Sequence, residues 1–194
     1  MWTRSFLIVH GVENWRPAGH WQYELAQGLR ARGEQVFYPQ LPDADRPSLA
    51  AWLAAVEAEL AMMRGERVAV CHSLACATWF HLAAGRAGGE PPVDRVLLVS
   101  PPGPAAFSWD TIAGFSPAAL DLAGLKLAAT TPRLVCSDND PYCPDGAAQV
   151  FGRPLGWDVD LLPGAGHVTA EDGYGPWPSA LGWCLDPTTR VAAN

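Results

Sequence analysis

Charge is sparse in this chain of 194 residues: Asp, Glu, Lys and Arg together make up 17%, against 49% for the hydrophobic types. That balance excludes a disordered, self-solvating chain and a fibrous one, because enough apolar surface is present to offset chain entropy. Basic residues are outnumbered, and the formal net charge of −7 argues against a general affinity for nucleic acid or an anionic membrane surface. No apolar run approaches the length needed to cross a bilayer. Phe6-Leu7-Ile8-Val9 is too short for the hydrophobic region of a secretory signal. The five cysteines, Cys71, Cys76, Cys136, Cys143 and Cys184, include no C-x-x-C pair and no zinc-ligand spacing. H-x-x-x-H, H-E-x-x-H and acid clusters are missing too, so no metal site is expected. An odd number of cysteines with apolar neighbours is the pattern of reduced thiols packed as small hydrophobes, and a cytoplasmic protein is expected. Repeats, low-complexity tracts and linkers are absent. A single domain over residues 1–194 is therefore expected, with one substantial core.

What the chain does have is an alternation of short apolar runs with helical patterns. Strands are expected at Ser5 to Val9, Gln35 to Tyr38, Val68 to Cys71, Val93 to Val99, Arg133 to Cys136 and Trp157 to Leu161. A first helix is expected from about Gly19 to Ala31, closed by Gly33. Ser48 is expected to cap a second helix running to about Met63, with Leu49, Trp52, Leu53, Val56 and Leu60 recurring as a core stripe. A third should end near Ala84, stopped by Gly85 and the Gly88-Gly89 pair, with further helical stretches near Asp145 to Phe151 and Trp177 to Leu185. Pro101 to Pro132, rich in proline and carrying Phe107, Trp109 and Phe115, reads as an excursion that could partly cover a site. The alternation predicts an α/β architecture: a three-layer, doubly wound, mostly parallel six-stranded sheet. Ligands then belong outside the carboxyl ends of the strands, near a topological switch point.

The third strand runs into Cys71-His72-Ser73-Leu74-Ala75 and passes directly into an alanine-rich helical pattern. A serine lifted above a sheet on a sharp strand-to-helix turn, between small neighbours, is a nucleophile elbow. The usual spelling is G-x-S-x-G, and here Cys71 and Ala75 stand in place of the glycines. A serine hydroxyl needs a neutral imidazole to take its proton and a carboxylate to orient that imidazole. After the fifth strand comes Ser137-Asp138-Asn139-Asp140-Pro141-Tyr142, and after the sixth Pro163-Gly164-Ala165-Gly166-His167. Serine, acid and histidine thus occur in order at successive strand ends. Local chemistry does not choose between Asp138 and Asp140, since either can serve as a turn residue. Rival bases are His10, His20, His72 and His81. His72 adjoins Ser73 and should point away from its hydroxyl. His10 is expected to shape the first loop and His81 to lie on a helix face. His20 is the rival that spacing does not remove.

Val70 to Cys76, Ser137 to Cys143, the Gly166 to Pro178 stretch with its Gly-Tyr-Gly-Pro-Trp-Pro sequence, and Gly19-His20-Trp21-Gln22 together resemble the small serine hydrolases related to retinoblastoma-binding protein nine. The resemblance spans nearly the whole chain, and the elbow without glycines is its departure. It implies an α/β-hydrolase fold with a minimal cap and, by analogy, strand order 2-1-3-4-5-6. It further implies Ser73 as nucleophile, Asp140 as acid and His167 as base, with no cofactor. The backbone N–H groups of Leu74 and Val12 are expected to form the oxyanion hole. Trp15, Trp21, Tyr142, Tyr174 and Trp177 are expected near the rim, as a pocket for an apolar acyl or alcohol group. The expected activity is hydrolysis of a small ester or amide through an acyl-serine, with carboxylesters foremost. Acyl transfer to another acceptor is a neighbouring possibility. The alternative is a hydrolase scaffold that binds a protein or ligand with little catalysis, and the altered elbow is its support.

Overall fold

Apolar residues at consecutive positions mark strands covered on both faces, and the middle of this sheet is built from them. The computed structural model describes residues 3–86, 89–120 and 122–194. Its strands are β1 (Arg4–Val9), β2 (Gln35–Phe37), β3 (Glu66–His72), β4 (Arg95–Val99), β5 (Thr131–Ser137) and β6 (Asp158–Leu162). They form one six-stranded sheet in the order β2-β1-β3-β4-β5-β6, and every pairing is parallel. The sheet is thus wholly parallel, in the expected order. Tyr38, expected in the second strand, lies just beyond β2, the short edge strand.

Side chains along each central strand alternate between two cores, as the pleat requires. Leu7, Val9, Ala69, Cys71, Val96 and Leu98 face one core, and Phe6, Ile8, Val68, Val70, Leu97 and Val99 the other. The first core is closed by α2 (Leu49–Met62) and α3 (Leu74–Ala84), with α4 (Leu122–Leu125) and α5 (Arg153–Leu155) beyond them. The second is closed by α1 (Trp21–Arg30) and α6 (Pro178–Leu185). On α2 the expected stripe is core: Trp52, Val56 and Leu60 are buried, with Leu49 and Leu53 packed against them. Helix α1 begins after Gly19 because His20 caps it, its ring nitrogen accepting from the Gln22 amide. The stretch expected as a helix near 145–151 is a wide π-type turn over Ala148–Gly152 leading into α5. A side chain at Gly152 would collide with Val159, so the backbone there lies directly on β6. Gly88, expected to help end α3, lies outside the described residues.

Between β4 and β5 the chain makes short 3₁₀ turns, at Pro104–Ser108 and Ala113–Phe115 among others, around α4. The excursion is shorter than expected, since β5 already starts at Thr131. The sheet order reverses between β1 and β3, so the loops leaving their carboxyl ends face each other across a crevice. Among the described residues no helix is long and apolar enough to cross a membrane.

Candidate active site

One residue separates β3 from α3. Ser73 has φ 56° and ψ −125°, the shape of the first central residue of a type II′ turn, which favours glycine. A side chain held there stores on the order of 1–3 kcal/mol of strain. The turn is tied down by the Ser73 amide donating to Val99 O and the Cys76 amide donating to Ser73 O, both at 2.9 Å. Cys71 and Ala75 are fully buried and neither has a positive φ. Their positions therefore ask for small residues and not for glycine, which accounts for the altered spelling. Burial pushes the Cys71 and Cys76 thiols well above their ordinary values, so neither competes with the serine as a nucleophile.

The loop after β1 presses on this serine. A Cβ at Gly11 would lie 2.9 Å from Ser73 Cβ, so only glycine lets the loop come so near. His10 shapes the loop, as expected. Its Nδ1–H donates to Gly11 O at 2.8 Å, and its Nε2 accepts from the Leu41 amide at 2.9 Å. Burial lowers its pKa to about 4, which keeps it neutral. Val12 and Leu74 line the same cavity as Ser73, so the two residues expected to supply an oxyanion hole are brought together there.

Two further loops are sewn into one unit. Ser137 Oγ accepts from the Ala165 amide, Asp138 from the Gly164 amide and Asn139 from the Gly166 amide. Asp172 then folds over Gly166, leaving no space for a side chain there. It accepts from the amides of His167 and Thr169 and from the Thr169 hydroxyl. The result presents the buried His167 between two partners. Its Nε2 lies 2.8 Å from Ser73 Oγ, and its Nδ1 lies 2.9 Å from both carboxylate oxygens of Asp140. Asp140 is buried and also accepts from the Tyr142 amide. With Nδ1–H turned to the carboxylate, Nε2 is left as an acceptor facing the Ser73 hydroxyl. Of the two aspartates, Asp140 meets the imidazole, while Asp138 holds a backbone amide.

The rival histidines all lie elsewhere in the hydrogen-bond network. His72 points away from the serine hydroxyl and donates to His167 O at 2.9 Å; its pKa is held low by burial, then by the neighbouring histidines. His81 bonds Phe115 O, away from the cavity. His20 caps α1 and lines the cavity without bonding Ser73.

The cavity above Ser73 is about 400 Å³, within the range of small-molecule sites. Of the aromatics expected at its rim, Tyr142 lines it, its ring 4.4 Å from the His167 ring. The rest do not. Trp15 is exposed to one side and bonds Asp45. Trp21, Tyr174 and Trp177 are buried in the core beneath, stacked edge to face. Being next to a site loop in sequence does not decide which way a ring faces, and these three face the sheet. In their place Ala106, Trp109 and Ile112, from the excursion after β4, supply apolar lining, and Asn14 and Glu171 line the same cavity. The excursion was legible as a cover, though its lining residues were not. Asp172 carried no signal beyond its place in the Gly166 to Pro178 stretch.

A six-stranded parallel sheet of this order, with a serine on the turn after β3, defines the α/β-hydrolase fold. The chain belongs to the serine hydrolase family, whose sequence model matches residues 6–183. Among solved structures it is similar to the ydeN gene product of B. subtilis, at 18% identity and TM-score 0.79, over 94% of this chain and 97% of that one. It is also similar to the thioesterase domain from the curacin biosynthetic pathway, at 16% identity and TM-score 0.67, over 94% and 91%. The esterase domain of a Rhodothermus marinus protein matches at 16% identity and TM-score 0.58, over 87% and 80%. No curated protein sequence matches the chain.

Proposed function

We propose that this chain hydrolyses a small carboxylic ester, or a related amide or thioester, through an acyl-enzyme on Ser73. The observation that carries this reading is the continuous chain from Ser73 Oγ to His167 Nε2 at 2.8 Å and from His167 Nδ1 to Asp140 at 2.9 Å. In the first step His167 takes the hydroxyl proton as Ser73 Oγ bonds to the substrate carbonyl carbon. The resulting oxyanion turns toward the N–H groups of Leu74 and Val12. The imidazolium, stabilised by the Asp140 carboxylate, then gives its proton to the departing alcohol, amine or thiol. In the second half His167 takes a proton from water, hydroxide adds to the acyl carbon, and Ser73 leaves with that proton restored.

Losing one oxyanion donor typically costs about a hundredfold or more in turnover, so the contact between the Gly11 loop and the serine turn is part of this reading. The segments that resemble the proteins related to retinoblastoma-binding protein nine lead us to place the chain near that branch. All five cysteines are free and buried, which supports a reducing compartment such as the cytoplasm. The scaffold-only alternative drew on the altered elbow. The turn keeps a positive φ at Ser73 with Cys71 and Ala75 in place, which removes that support.

The test is a fluorophosphonate probe together with a panel of p-nitrophenyl esters of rising acyl length. Stoichiometric labelling, lost in Ser73→Ala, and ester turnover are expected. A wild-type protein that neither labels nor turns over any ester would favour the binding scaffold.

A further inference from the structure

In the cavity that Trp109 and Ile112 also line, two polar side chains meet in an unusual way. His20 is more than nine-tenths buried and its Nδ1 accepts the Gln22 amide at 3.2 Å, capping α1. A neutral imidazole that accepts at Nδ1 must carry its proton on Nε2. Burial lowers the His20 pKa to about 4, so the neutral form prevails at ordinary pH. The Nε2 edge faces Asn14 Nδ2 at 3.5 Å. The Asn14 amide is oriented too, because its Oδ1 accepts the Arg16 amide at 2.7 Å. Two N–H donors therefore converge, each with its acceptor side already committed to backbone. Among the described residues the protein supplies no oxygen to either of them. Both residues line the cavity that holds Ser73 and His167.

We propose that Asn14 and His20 form a donor pair that binds one uncharged acceptor oxygen of the substrate and so sets its specificity. This deepens the hydrolase reading and rests on it. Donors 3.5 Å apart can share a carbonyl, ether or hydroxyl oxygen that sits to one side of both, at hydrogen-bond distance from each. A carboxylate would satisfy the donors as well, but the charged residues lining the cavity are Glu13 and Glu171, with no Arg or Lys among the described lining. Both are exposed, and their negative charge at the cavity, though screened by solvent, favours a neutral ligand over an anion. The apolar lining of Ala106, Trp109 and Ile112 takes the apolar part. The substrate class is accordingly a compact ester with an apolar arm and an arm bearing a neutral oxygen. Sites built to hydrogen-bond such an oxygen discriminate against its carbon isostere, because burying both donors without a partner is costly.

The experiment compares carbon and oxygen isosteres on either side of the ester. One set is p-nitrophenyl pentanoate, ethoxyacetate and 3-methoxypropanoate; the other is butyl and 2-methoxyethyl acetate. Each kcat/KM is divided by the hydroxide-catalysed rate of the same ester. In wild type at least one oxygen isostere is expected to be favoured about tenfold, the worth of one well-made hydrogen bond. Two variants remove a donor while keeping the local structure. His20→Asp retains a capping acceptor for α1 and has no N–H, and Asn14→Asp retains the oxygen that accepts from Arg16. In both the ratio is expected to fall close to unity, and because a ratio is read, common losses of turnover cancel. Equal ratios in wild type and variants, or no preference in wild type, would overturn the donor pair and leave the hydrolase reading standing. Hydrolysis of neither isostere of any pair would overturn the hydrolase reading, and this inference with it.

Discussion

A methyl group on Gly11 would stand 2.9 Å from Ser73 Cβ and 3.3 Å from Ser73 Oγ. The backbone at Gly11 is not in the left-handed region, so alanine is excluded by the serine turn alone, through Ser73 and the His72 carbonyl oxygen at 3.3 Å. To admit it, the loop carrying Val12 must retreat. Misplacement by about 1 Å is worth on the order of a hundredfold in rate. Gly11→Ala is expected to lower kcat/KM by about that much and to slow fluorophosphonate labelling. Wild-type rates in this variant would show that the loop plays no part in stabilising the oxyanion.

Ser73, the proposed nucleophile, also sits on a strained backbone. Ser73→Ala should abolish labelling and turnover while its thermal midpoint stays near that of wild type. Ser73→Gly should be equally inactive yet more stable than Ser73→Ala by about 1 kcal/mol, because glycine adopts φ 56° without strain. Differential scanning calorimetry of the three proteins checks the order, and a glycine variant less stable than the alanine one contradicts the strain argument.

The two loop aspartates should separate sharply. Asp140→Asn disturbs the imidazole tautomer and is expected to lower kcat by about ten-thousandfold, as loss of the acid does in the trypsin triad. Asp138→Asn keeps an oxygen for the Gly164 amide and should cost little. Steady-state kinetics that reversed the two effects would assign the acid to Asp138.

Asp172 touches no reacting atom, yet it accepts from the amides of His167 and Thr169 and from the Thr169 hydroxyl. Asp172→Ala leaves these groups to water, at a cost of about 0.5–1.5 kcal/mol in stability. It should also lower kcat more than it raises KM, because the base loop loses its brace. An unchanged kcat, with stability reduced, would make the brace purely structural.

Acid should act on stability and on activity through different histidines. His10 and His20 have pKa values lowered from 6.5 to about 4, and His72 is lowered as well. Between those limits the unfolded chain binds protons that the folded chain does not, so unfolding free energy rises with pH. Stability is therefore full above about pH 6.5 and is lost as pH falls toward 4, by on the order of a few kcal/mol for each of His10 and His20. Urea titrations from pH 7 to 4.5 measure the slope, and a flat profile would rule out buried neutral histidines. Activity should show its own acid limb in kcat/KM, because protonated His167 cannot accept the serine proton. His20→Ala should keep that limb, and His167→Ala should lose it along with nearly all activity.

The architecture and the chemistry at the strand ends were legible in the sequence, because both are local properties of the chain. Consecutive apolar positions at Phe6 to Val9 and Val96 to Val99 require cover on both faces, and that condition is met by a parallel sheet between helices. Ser73, the Ser137 to Asp140 loop and the loop ending at His167 each follow a strand, so topology alone sends them to one edge. Local chemistry could not choose between Asp138 and Asp140, two residues apart in one loop and equally suited to a turn. The choice depends on how the loop after β6 docks, with Gly164 reaching the first and the imidazole the second. Nor could spacing orient the aromatic rings. Trp21 and Trp177 pack against each other where α1 and the segment before α6 meet over the sheet. Trp109 reaches the cavity from an excursion whose path no periodicity describes. Side-chain direction in such segments is a property of the packed whole, and there the tertiary structure decided.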